Sequence, residues 1–176
     1  LDDKNLRQAC NYAVDKDLIV TNVLFGAGQA ATTYLPLMLG HDDTAVGYPV
    51  DLEKAKALIA DSAGKDGFTF SILTTVGDAV GSQVAQLVAA SLQQIGGTVT
   101  IEQVEPGIST ERVTKTQDFD VNLAYYTTDI IDPDELTAFA VYSKGGSDAV
   151  WTGYKNEEVD GWIEAAQTEM DHEKRM

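Results

Sequence analysis

Two β-branched and aromatic runs, FTFSIL at 68–73 and TVTIEQV at 98–104, flank a stretch in which Val80, Val84, Leu87, Val88, Leu92 and Ile95 recur at helical spacing. In the first run Phe68, Phe70 and Ile72 alternate with Thr69, Ser71 and Leu73, the period of a strand with at least one buried face. Strand, helix and strand in this order leave few folds open. The connection is expected to be a right-handed crossover, which makes the two strands parallel neighbours in one sheet. Gly96-Gly97 supplies the left-handed stop between helix and second strand.

The flanking segments extend this α/β pattern. Leu6, Cys10, Ala13, Val14 and Leu18 share a helical period, so one helix is expected from Asp3 to Leu24, capped by Asp2 or Asp3 and ended by Gly26 and Gly28. The loop that follows holds Tyr34, Pro36, Gly40, Gly47 and Pro49, and loops of such length in compact domains commonly serve function. Asp51 caps a short helix with Leu52, Ala55, Leu58 and Ile59 on one face, ended by Gly64. Phe119 to Tyr126 reads as a third strand, placing Tyr125 and Tyr126 on opposite faces. Pro133 suits the first position of a helix over Asp132 to Ala140 with Asp132 as its cap. A closing helix starts at Asn156 and carries Val159, Ile163, Ala166 and Met170 on one side, with Trp162 beside them. The expected fold class is α/β: a small mixed or parallel sheet with flanking helices, forming one domain over residues 1–176.

Composition removes several functions. With 28 acidic against 12 basic residues the formal charge is −16, which repels polyphosphate and argues against nucleic-acid binding. Cys10 is the only cysteine, so neither a disulfide framework nor a multi-thiol metal site forms within the chain, and a buried, inert thiol is expected. No run of about 18 apolar residues occurs. The first residues read as a helix start and the last, EMDHEKRM, stop inside a helical pattern, as in a fragment of a longer protein.

Catalytic groups are sparse. His41 beside Asp42 and Asp43 is a weak metal pattern, His172 sits in a charged helix end, and no GxSxG, HExxH, GxGxxG or phosphate-cradling motif is present. The expectation is therefore no catalysis, no metal and no cofactor. The dense polar constellation is Tyr125-Tyr126-Thr127-Thr128-Asp129-Ile130-Ile131-Asp132-Pro133-Asp134, after the third strand, where α/β sheets place ligands. Asp132 and Asp134 are accounted for by a helix N-terminus, which favours negative charge. Asp129 stands before the cap and is free to face a cleft. Trp151, Tyr154 and Trp162 are read as packing.

The stretches RQACNYAVDKDLIV (7–20), VLFGAGQAATTYLP (23–36), YPVDLEKAKALIADSAGKDGF (48–68), TTDIIDPDEL (127–136) and WTGYKNEEVDGWIEAA (151–166) resemble, in order and spacing, the second lobe of the extracytoplasmic peptide-binding proteins of ABC importers. The resemblance implies one lobe of a two-lobe periplasmic-binding-protein architecture, with the first lobe and the chain ends absent. It implies a periplasmic or otherwise extracytoplasmic location, with or without a lipid anchor on the full-length protein. The implied partners are a peptide or other small-molecule ligand, ABC permease subunits and the missing first lobe. In the family an Asp after the third strand binds the ligand's α-ammonium, and the resemblance puts Asp129 there, with Tyr126, Thr127, Thr128 and Tyr34 as further ligand-binding residues. Tyr126 falls where the family has Trp. Thr74-Thr75-Val76-Gly77-Asp78-Ala79 lacks the Arg with which dipeptide binders clamp the ligand carboxylate. The family also includes receptors for sugars, opines and metal chelates, and a small α/β enzyme is the alternative outside it.

Overall fold

The computed structural model describes residues 1–36, 42, 44–127, 129–145 and 148–175, without the side chains of Asp148, His172 and Glu173. His41, Asp43 and Thr128 thus lie outside the described residues, as does the side chain of His172. The chain divides into two compact units, where the sequence reading takes one domain. The first comprises Leu1–Ala30 and Val46–Ala124, and the second comprises Ala31–Ala45 and Tyr125–Met176.

The first unit is built on the strand–helix–strand core. β1 (Phe68–Thr75) pairs in parallel with β2 (Gly97–Val104) in the register Phe68↔Gly97 through Thr75↔Val104, and α4 (Ala79–Gln93) connects them. A short β3 (Val121–Asn122) adds to the other edge of β1, also in parallel, to give the order β2-β1-β3. Phe70 and Ile72 of β1 are buried in a core with Leu6, Ala9 and Ala13 of α1 (Lys4–Ala13), Ala55 and Ile59 of α3 (Leu52–Ala60), and Ala85 and Leu92 of α4. Of the expected apolar stripe Leu92 and Ile95 are buried and Val88 packs against the core, whereas in the first turns of α4 Gly81 and Ala85 are buried and Val80 is exposed.

Three expected elements change. The helix expected over 3–24 is two, α1 and α2 (Lys16–Asn22), because Val14 is extended and Asp15 accepts the Leu18 N–H as a new N-cap. The strand expected over 119–126 forms a ladder only at Val121–Asn122. Asp120 Oδ2 takes the Ser71 N–H at 2.8 Å with a side chain, and the chain enters the second unit at Tyr125. Tyr125 and Tyr126 are therefore not strand residues, and the opposite-face argument for them lapses. Residues 105–118, to which the sequence reading assigns no element, form α5 (Pro106–Glu111) and a π-helical turn (Arg112–Thr116) that buries Val113. From that turn Arg112 pairs with Glu102 of β2 at 2.6 Å.

In the second unit α6 (Pro133–Ala140) starts as expected, with Pro133 in its first turn and Asp132 as cap. α7 (Asp148–Trp151) was not foreseen. α8 (Glu157–Thr168) begins after Asn156, whose side chain accepts the N–H groups of Glu158 and Val159. It ends before Met170, which is 95% exposed rather than part of the apolar side. α9 (His172–Arg175) follows.

Candidate functional site

The acidic segment before α6 sorts its carboxylates by task. Asp132 accepts the Asp134 N–H at 2.9 Å and also receives the Arg175 guanidinium, Nη2 to Oδ1, at 2.6 Å. Glu135, in the first turn of α6, reaches back past the cap: its Oε2 accepts the N–H of Asp129 at 3.1 Å and that of Ile130 at 3.0 Å. Both acids are thus spent on the chain itself. Asp129 is exposed, and among the described residues its carboxylate accepts no hydrogen bond and pairs with no cation. An ionised carboxylate left in that state is an acceptor suited to an ammonium or guanidinium from outside.

Apolar surface surrounds this acid in sequence. Tyr125 and Tyr126 are exposed, each with contacts of its own, and Ile131 is 87% exposed. Thr127 is exposed as well. Tyr34 is placed elsewhere in the same unit, where its hydroxyl meets Thr137 Oγ1 of α6 at 3.2 Å. There it lines a cavity of about 280 Å³, together with Pro133, Thr137, Val159, Trp162 and Arg175. Asp129 and Tyr126 do not line that cavity, so the expected ligand-binding residues separate into two groups within the unit.

Sequence reasoning missed Glu135 and Arg175 and read Trp162 as packing. The Glu135 signal was available, since it stands three residues after the cap in capping-box spacing. Arg175 carried none, because its partner Asp132 is 43 residues away. The segment after β1 contains no cation, and there Asp78 caps α4 by accepting the Gly81 N–H.

Elsewhere in the unit Asp160 of α8 is buried and accepts the Ser143 N–H at 2.9 Å and the Ser143 hydroxyl at 2.5 Å. The hydroxyl first, and the amide second, hold its carboxyl below the usual range. Lys144 pairs with Glu164, which also accepts the Tyr142 hydroxyl. In the first unit Cys10 is partly buried against the core, and loss of hydration pushes its thiol up to about 11. Among the described residues no three His, Cys, Asp or Glu side chains are grouped to hold a metal ion.

Residues 1–148 match the family described as bacterial extracellular solute-binding proteins, family 5 Middle. The chain is 30% identical to a dipeptide-binding protein of Escherichia coli (strain K12), an alignment that covers 100% of this chain and 34% of that protein. It is 28% identical to heme-binding protein A of Haemophilus influenzae, over 94% of this chain and 31% of the other. Among solved structures it resembles the ABC transporter-associated periplasmic binding protein DppA from Helicobacter pylori in complex with the peptide STSA. That likeness has a TM-score of 0.85 and 26% identity, covering 98% of this chain and 34% of the other. The chain spans about a third of the length of the relatives it matches.

Proposed function

The chain belongs to the bacterial extracellular solute-binding proteins, family 5, and on that premise we propose that it is the second lobe of a two-lobe receptor for peptides or related amine-bearing solutes. The receptor acts outside the cytoplasmic membrane, hands its ligand to the permease subunits of an ABC importer and has no catalysis of its own. The observation that carries this reading is the exposed Asp129 carboxylate, left without a partner among the described residues in a segment where Asp132 and Glu135 are committed to the chain itself. A charge-assisted bond from a ligand ammonium to that carboxylate contributes about 1.5–3 kcal/mol. Tyr126 and Thr127, exposed and close in sequence to Asp129, are the further contact residues of this reading, whereas Tyr34 lines the separate cavity of the same unit.

The mechanism is closure of two lobes about a hinge. A ligand that touches both lobes only in the closed state shifts the population toward it, so this lobe alone binds weakly. Residues 74–79 supply no cation for a peptide's carboxylate, so either the other lobe supplies it or the ligand is not a free dipeptide. The test is calorimetry on the protein at its natural length, with dipeptides, tetrapeptides, their N-acetylated forms and heme. Free-amine peptides are expected to bind, and Asp129→Asn is expected to weaken them by about 10- to 100-fold while sparing the acetylated forms. Equal binding of free-amine peptides by parent and variant, or binding of heme alone, overturns the proposal.

A further inference from the structure

A glutamate three residues after a helix cap ordinarily returns to the N–H of the cap itself. Glu135 does not. Its Oε2 bonds the amides of Asp129 and Ile130, three and two residues before the cap, at 3.1 and 3.0 Å. The start of α6 has its own supports, with Pro133 needing no acceptor in the first turn and Asp132 taking the Asp134 N–H. The bonds from Glu135 therefore serve the preceding loop and not the helix.

Holding that loop has a consequence for recognition. A loop that must be ordered when ligand arrives subtracts its conformational entropy from the affinity, and a loop ordered beforehand does not. Two charge-assisted bonds from one carboxylate oxygen fix the backbone on both sides of the Asp129 Cα, and with it the origin of the Asp129 side chain. We infer that Glu135 is a positioning residue for ligand recognition, bracing the Asp129–Ile130 backbone so that the Asp129 carboxylate is set before an ammonium arrives. This rests on the reading in which Asp129 receives that ammonium. Glu135 touches no ligand; it acts through Asp129.

The experiment uses the natural-length protein and two probes, the tetrapeptide Ala-Ala-Ala-Ala and its N-acetyl form, titrated by calorimetry into parent, Asp129→Asn, Glu135→Ala, Glu135→Gln and the double variant Asp129→Asn/Glu135→Ala. Glu135→Ala is expected to weaken the free-amine peptide about tenfold and to leave the acetylated one unchanged. Glu135→Gln keeps most of the affinity, because its amide oxygen still accepts, and the double variant binds no more weakly than Asp129→Asn alone. Equal loss for both probes, full additivity with Asp129→Asn, or a loss in Glu135→Gln as large as in Glu135→Ala overturns the positioning role. An Asp129→Asn variant that binds both probes like the parent, or a parent that binds neither, overturns the underlying reading and the inference with it. Should Glu135→Ala not fold, Glu135→Asp, whose shorter arm falls short of the two amides, is measured in its place.

Discussion

Three acids in one short segment, Asp129, Asp132 and Glu135, do different things, and the difference lies in which N–H groups or cations each reaches. Asp132 and Glu135 are consumed by backbone amides and by Arg175, whereas Asp129 meets none of these. Sequence spacing identified Asp132 as a cap and set Asp129 apart from it. It did not reveal Glu135 as the brace, because capping-box spacing points such a glutamate to the cap and not to the loop before it. Asp160 illustrates a second residue-scale effect, a carboxyl held below its usual range by the Ser143 hydroxyl and amide. A depressed folded pKa contributes stability that is present above the ordinary carboxylate value, about 3.9, and is lost as pH falls through the lowered folded value. Thermal melts of parent and Asp160→Asn across pH should therefore differ near neutrality, with the variant the lower of the two. The gap should narrow below about pH 4. A gap that widens on acidification contradicts the assignment.

At the scale of elements, the glycine pair between α4 and β2 separates into two causes that look alike in sequence. Gly96 has φ +90° and meets the left-handed requirement of a helix stop. Gly97 is needed for space, since a Cβ there would lie 2.6 Å from the Phe68 ring, its partner in the β1–β2 register, and 3.0 Å from the Leu92 carbonyl oxygen. Gly97→Ala is expected to cost about 1–3 kcal/mol by overpacking, measured by chemical denaturation, and Phe68→Leu in the same chain should return part of that loss. An additive double variant would show that the two positions do not compete for space. The same distinction between local and distant causes explains the expected elements that changed. The break at Val14-Asp15 was masked by continuous apolar period, although Asp15 is a competent cap. The third strand was overextended because alternation persists in sequence past Leu123, while the backbone leaves β1 after the Leu123 N–H bonds the Leu73 carbonyl.

For the whole molecule, 28 acidic against 12 basic residues means net self-repulsion. Raising sodium chloride from about 10 to about 150 mM shortens the Debye length to about 8 Å, and the melting temperature is expected to rise; a fall would show that attractive ion pairs dominate. The sequence by itself determined the parallel strand–helix–strand unit, the caps at Asp51 and Asp132, the start of the closing helix near Asn156 and the prominence of Asp129, because strand alternation, helical period and capping act over two to four residues. It also carried the family likeness in the order of its segments. Only the tertiary structure decided that the chain forms two units, that Tyr34 meets Thr137 across 103 residues, and that Arg175 meets Asp132 across 43. Such pairings depend on how distant segments close on one another, and no local periodicity encodes that. The same closures determine which carboxylates are spent within the fold and which, like Asp129, stay exposed with no partner among the described residues.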